Sequence, residues 1–237
     1  MATECPVWAR CGGCPLMESP IEVQAEYKLR RVEEVFRQAD LERPHSLNWV
    51  SSPRTIGYRN RVRVAVRHGV VSFFNPEKNM SCIVLEPALV GLLQKMRSLS
   101  QADPTLLLGV SHMELRSEDL NGQMGVHLTT EDGIGFDESM LKKALGAQVL
   151  VGMSNRTSPL QRFPVGTSAY GLTPLSSFMQ VNHGVNQRLL THVIDGALKR
   201  GVRRFMDLFC GAGNFSLGLA SAAVSYTHLT LPTTPYV

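Results

Sequence analysis

A chain of 237 residues with 43% hydrophobic and 19% charged residues has the makeup of a folded globular protein, which excludes disorder over most of its length. The net charge of +4 permits a polyanionic partner without demanding one. No apolar run approaches the roughly 18 residues that span a bilayer, and MATECPVWAR lacks the basic and apolar regions of a secretory leader. We therefore expect a cytoplasmic protein with no membrane partner.

Three of the five cysteines, Cys5, Cys11 and Cys14, fall within CPVWARCGGCP at residues 5–15. In a reducing compartment clustered thiols bind metal or do redox chemistry rather than form disulfides. Gly12 and Gly13 suit a tight turn that aims Cys11 and Cys14 at one point and exposes backbone N–H groups, and Pro15 keeps the chain from continuing it. A fourth thiolate has to come from Cys82 or Cys210. Cys82 lies between the polar segment NPEKNMS and an apolar helix, at a chain reversal from which it can return to the other three. Four thiolates suit a [4Fe–4S] cluster, which we rank first, or a tetrahedral zinc ion. Unrelated buried cysteines are the remaining reading.

Ser19, Pro20 and Glu22 predict a capping box opening a helix whose stripe of Ala25, Leu29, Val32, Phe36 and Ala39 belongs to the core. In YRNRVRVAVRHGVVSFF, residues 58–74, a period of two puts Val62, Val64 and Val66 on one face and Arg59, Arg61, Arg63 and Arg67 on the other. His68-Gly69 predicts a hairpin turn into Val70–Phe74. A guanidinium row at strand spacing either tracks RNA or DNA phosphates or is a solvated sheet face guarded against edge pairing.

A second helix is expected from about Pro87, with Leu89, Leu92, Leu93, Met96 and Leu99 inward. Strands follow over 106–117 and 122–130 about the turn at 119–122, then a helix over 137–145 and a strand over 147–153. Gly, Ser, Thr and Pro concentrate between 152 and 176, which marks a domain junction. The division expected is 1–165, an iron–sulfur and RNA-contacting region, then 166–223, the first part of a cofactor domain.

A helical pattern runs from Asn182 to Arg200. In RRFMDLFCGAGNFSLGLA, Phe205–Phe209 reads as a short strand, Gly211-Ala212-Gly213 as a turn and Asn214 onward as a helix, the unit that opens doubly wound nucleotide-binding folds. Asp207 at the strand end and Phe215 in the first helical turn favour S-adenosylmethionine over a dinucleotide. Cys210 reads as structural.

Together, C-x5-C-x2-C with a distant fourth cysteine, the YRNR strand, SSFMQVN at 176–182 and DLFCGAGNF at 207–215 resemble the RNA (uracil-5-)-methyltransferases over about residues 5–222. The likeness is closest to the iron–sulfur-containing bacterial 23S ribosomal RNA branch, without the N-terminal barrel of some members. It implies an α/β fold in which a mixed iron–sulfur and RNA-contacting region precedes a Rossmann-like methyltransferase domain, and an enzyme that forms 5-methyluridine in RNA. It implies Cys5, Cys11, Cys14 and Cys82 as cluster ligands. It also implies Gln180, Asp207, Phe209, Gly211, Gly213 and Asn214 at the S-adenosylmethionine site, and Arg59, Arg61, Arg63 and Arg67 on the RNA. The family's nucleophilic cysteine and base lie far downstream of the glycine turn, so no catalytic residue is assigned and this chain is expected to be inactive alone.

After Asp207 no Asp, Glu, Lys or Arg occurs, and VSYTHLTLPTTPYV from 224 resembles a translated sequencing adapter, so 224–237 reads as a non-native tail on a gene fragment. The alternative from another class is a non-catalytic iron–sulfur or zinc protein that binds RNA.

Overall fold

The computed structural model describes residues 5–43, 46–73, 82–118, 122–131, 136–154, 156–165 and 169–222. Two helices come first, α1 (Trp8–Cys11) and α2 (Ile21–Gln38), then the strands β1 (Arg61–Arg67) and β2 (Val70–Ser72). The chain continues through α3 (Pro87–Ala102), a 3-10 turn at Pro104–Leu107, β3 (Val110–Ser117), β4 (Met124–Thr130), α4 (Glu138–Leu145) and β5 (Val149–Met153). It ends in β6 (Leu160–Val165), β7 (Ala169–Pro174), α5 (His183–Lys199) and α6 (Asn214–Ala222). This is the expected mixed α/β fold.

The first five strands form one sheet in the order β2-β1-β3-β4-β5. Its pairs are antiparallel except β4 with β5, which α4 joins as a crossover. At the β1–β2 turn His68 and Gly69 have φ of 51° and 77°, the two positive angles a two-residue hairpin of matching twist requires. One sheet face packs Val62, Val64, Val66, Met113, Leu115, Val126 and Leu128 against Leu89, Leu92, Leu93 and Met96 of α3 and Leu141 and Leu145 of α4. Burying these apolar side chains drives the fold, at about 25 cal/mol per Å² removed from water.

Within the segment 152–176, expected as a domain junction, β6 and β7 pair from Leu160↔Pro174 to Val165↔Ala169 as a separate hairpin. Three expectations need correction. Phe205–Phe209 forms no strand; among the described residues no strand lies alongside to take its backbone hydrogen bonds, and an unpaired segment stays irregular. No residue of α2 is buried, so its stripe is a half-covered surface rather than core: Val32, within it, is 42% exposed. Nor does α2 carry a capping box; Pro20 is its N-cap without a side-chain hydrogen bond, and the Ser19 carbonyl accepts from Gln24 Nε2 instead. The turn at 119–121 and the tail from 223 lie outside the described residues.

The hairpin and its flanks cover the β4 and β5 part of the sheet's polar face. A Cβ on Gly125 of β4 would stand 2.3 Å from Leu175, and one on Gly152 of β5 would stand 2.7 Å from Pro159, so both glycines let the covering segment approach. Gly171 in turn lies against Phe163 and Leu217, which fits α6 onto the hairpin. α5 and α6 then pack together through Gly218 against Ile194.

Candidate functional site

Two cavities gather most of the residues singled out by sequence. The first follows the glycine turn, where Gly211 and Gly213 have φ of 55° and 82°. Gln180, Asp207, Phe209, Gly211 and Asn214 line it. Gly213 does not; its missing Cβ faces Leu217 at 3.3 Å, so it serves the close start of α6. The sequence did not single out Asn60, Phe163, Phe178, His183 or Asn186, which also line the cavity and come from four separate segments. Its volume is about 190 Å³. Sites for drug-sized ligands run to about 300–1,000 Å³, so these walls enclose only part of such a ligand.

Several hydrogen bonds build this cavity. Ser216 Oγ donates to Asp207 Oδ2 at 2.6 Å, holding the residue before the glycine turn onto α6. Asn186 and Asn214 exchange two amide hydrogen bonds across α5 and α6. Asn182 caps α5 by accepting from the Val185 N–H at 3.0 Å. Asn60 N–H donates to Val181 O at 3.0 Å, and Asn60 Nδ2 to Gln180 O at 3.3 Å, so the YRNR segment holds the glutamine loop in place. Phe209 is 86% exposed with φ of 62°, and its ring forms the open rim.

The second cavity, of about 350 Å³, is lined by Cys5, Cys11, Cys14 and Cys82, with Arg59, Arg63, Val62, Val84 and Leu85 among its other walls. The N-terminal turn forms as the sequence predicts. Gly12 has φ of 62° and ends α1, and Trp8 Nε1 donates to Cys14 O at 2.8 Å. Cys82 is brought back by backbone bonds on either side of Tyr58: Gly57 N–H to Ile83 O at 2.9 Å, and Arg59 N–H to Val84 O at 2.8 Å. Partial burial, followed by the nearby thiols of Cys82, Cys11 and Cys5, pushes the Cys14 thiol up, with Arg59 opposing. Among the described residues no group of three or more His, Cys, Asp and Glu is arranged to hold a metal ion, so the arrangement brings the thiols round one space without showing a metal site. Cys210 lies apart, on the glycine-turn cavity, with Sγ 3.8 Å from Gly211 O.

The arginine row is divided in use. Arg63 and Arg67 are exposed on β1. Arg61 pairs with Glu114 on β3 and lies 5.9 Å from the Phe178 ring centroid. Arg59 Nε donates to Arg61 O at 2.9 Å. Glu114 also accepts from Arg116 Nε at 2.6 Å, and Arg116 donates to Ser177 O at the start of the glutamine loop. The sheet's polar face is thus tied to the first cavity.

The chain is similar to known proteins over most of its length. A family described as tRNA (Uracil-5-)-methyltransferase matches residues 163–229. The chain is 30% identical to the 23S rRNA (uracil(1939)-C(5))-methyltransferase RlmD of Tolumonas auensis, over 94% of this chain and 54% of the relative. It is 29% identical to the protein of that name from Chromohalobacter salexigens, over 94% and 51%. The crystal structure of the Pyrococcus abyssi tRNA (uracil-54, C5)-methyltransferase with S-adenosyl-L-homocysteine shares the fold, with a TM-score of 0.66 at 18% identity over 90% of this chain and 57% of that one. The chain is related to the RNA (uracil-5-)-methyltransferases, and spans about half the length of the curated relatives it matches. No helix among the described residues is long and apolar enough to cross a membrane.

Proposed function

We propose that the chain is part of a cytoplasmic enzyme that transfers the methyl group of S-adenosylmethionine to C5 of uracil in RNA, with 23S ribosomal RNA as substrate. The observation that carries this reading is the convergence of Gln180, Asp207, Phe209 and Asn214 on one cavity at a glycine turn, beside an arginine-bearing sheet. S-adenosylmethionine supplies an electrophilic methyl group. Gln180 offers an amide that donates and accepts, Phe209 an exposed apolar ring, and Gly211 a backbone without Cβ to hinder approach. Arg63 and Arg67, with Arg59 and Arg61 beside them, give the sequence-independent phosphate affinity such a substrate needs. The division proposed is an iron–sulfur and RNA-contacting region over 1–165 and a methyltransferase portion from 166 to 223, with the β6–β7 hairpin at the seam.

For the cysteine cavity we propose a [4Fe–4S] cluster held by Cys5, Cys11, Cys14 and Cys82. All four donors are soft thiols, as Fe–S and zinc sites both accept. A zinc ion needs its sulfurs gathered at about 2.3 Å from one point. Thiols spread round a cavity of about 350 Å³ fit a group of several atoms better. The apolar walls and Arg59 fit a buried, negatively charged cluster.

Nucleoside analysis of rRNA and tRNA from the source organism, with and without the gene, tests the enzyme reading. Loss of 5-methyluridine from 23S rRNA on deletion, regained on re-expression, is the expected result. Loss from tRNA alone would move the substrate, and no loss from either would overturn the reading.

A further inference from the structure

We propose that a third cavity, between α2 and the segment 49–58, is a binding site for an unpaired nucleobase of the RNA strand, with Trp49 as its stacking platform. This rests on the RNA reading above and assigns a second contact, outside both the cofactor cavity and the arginine strand.

The cavity holds about 660 Å³, larger than either of the other two. Among the described residues of its lining, Lys28 and Arg54 are the charged ones, with no Asp or Glu. That charge suits a phosphate-bearing strand. Trp49 is 37% exposed, and Val50 beside it 60% exposed, so this indole is not core packing. Its orientation is set nonetheless: Nε1 donates to Ser51 Oγ at 3.0 Å, and Lys28 Nζ stands 5.3 Å from the ring centroid. With the ammonium over one face of an ordered indole, the opposite face is the one on which a single-stranded base would stack. Gln24 and Tyr58 add polar groups for a base edge.

The position of the platform joins it to the reaction site. Ser51 O accepts from Arg188 Nη1 at 2.6 Å, and Ser52 Oγ accepts from Asn182 Nδ2 at 3.0 Å, which anchors the segment to α5. His183 and Asn186 at the start of the same helix line the glycine-turn cavity, while Asn182 and Val185 line this one. One helix end therefore separates the two spaces. A strand whose target base meets the methyl donor at the mouth of the first can place a neighbouring base in the second. A simple anion site would have no use for the indole, and an apolar ligand none for Lys28 and Arg54.

The test titrates the full chain with a fluorescein-labelled single-stranded RNA of about ten nucleotides, reading anisotropy and tryptophan emission together. The expected result is quenching with the same midpoint as the anisotropy change. Trp49→Ala should lose about tenfold in affinity with an unchanged salt slope, Trp49→Phe should regain most of it, and Lys28→Gln should lower the slope by about one. Trp8 is the other tryptophan. Quenching that persists in Trp49→Phe comes from Trp8 and overturns the proposal, which keeps the test valid if Trp49→Ala does not fold. If Trp49→Ala binds as wild type while Arg63→Gln with Arg67→Gln weakens binding, the platform is overturned and the RNA reading survives. A wild-type chain that binds no RNA at low salt overturns both.

Discussion

Asn186 on α5 and Asn214 at the start of α6 face each other as a reciprocal amide pair. Each Nδ2 donates to the other's Oδ1, at 2.9 Å from Asn186 and 2.8 Å from Asn214. The pair satisfies two polar side chains in a region where Asn186 is 8% exposed, and sets the spacing of the two helices on either side of the glycine turn. Asn214 thus reaches the cofactor cavity with its amide already engaged.

Removing one partner leaves the other amide without its mate, buried in the case of Asn186 and part-buried in that of Asn214, at a cost of up to about 1–3 kcal/mol. Asn186→Ala and Asn214→Ala are each expected to lose stability in that range in urea unfolding. The double variant is expected to lose less than the sum, with a coupling of about 0.5–3 kcal/mol. Additive losses would contradict the pair.

Glu114 joins Arg61 to Arg116, and Arg116 side-chain exposure is only 3%. Glu114→Gln strands a buried guanidinium, and breaking such a pair from one side costs about 3–5 kcal/mol. Arg61→Gln, at a side chain 26% exposed, is expected to cost much less. Amide exchange of residues 175–182 is expected to accelerate in Glu114→Gln, because the Arg116 bond to Ser177 O loses its partner charge. Equal losses for the two variants, with unchanged exchange, would remove Glu114 from that role.

Glu118 is 5% exposed, and neither carboxylate oxygen has a hydrogen-bond partner among the described residues. Burial pushes its carboxyl above the usual carboxylate range, with Arg162 opposing. A raised pKa means the folded state holds the proton more tightly than the unfolded chain. Its penalty is absent below the ordinary pKa, grows as pH rises through the raised one, and is complete above it. Glu118→Gln is therefore expected to raise the urea midpoint at about pH 7 and leave it unchanged near pH 4. A gain of the same size at both would refute the burial argument.

The four-thiol cavity predicts iron and sulfide in anaerobically purified protein, at about four of each per chain for a [4Fe–4S] cluster. Cys82→Ser is expected to lose the brown colour and Cys210→Ser to keep it. Stoichiometric zinc in colourless protein would replace the cluster with a single ion.

Much of the fold is legible locally. The alternation of valine and arginine in β1, the stripe of α3, the short helix α4 and the His68-Gly69 turn all appear where the sequence places them. The β6–β7 hairpin was hidden because its pattern is inverted: Gln161 and Thr173 are 1% and 2% exposed, while Leu160 and Leu172 are 54% and 56% exposed. The α2 stripe has correct helical spacing, but amphipathicity does not say how completely a partner will cover it. Phe205–Phe209 has strand-forming residues without a strand alongside. At the sites, the glycine turn and the cysteine cluster are sequence motifs, whereas Phe163, Asn186 and the use of Arg61 by Glu114 depend on long-range pairings that local reading does not reach.

The loop carrying Gln180 and the turn at 207–215 are proposed to bind S-adenosylmethionine together. Ultraviolet cross-linking of methyl-labelled S-adenosylmethionine to the chain, followed by peptide mapping, tests it most directly. Label is expected within residues 178–183 or 207–215, abolished by excess S-adenosylhomocysteine and reduced in Gln180→Ala. Label confined to other peptides, or no competed label at all, would contradict it.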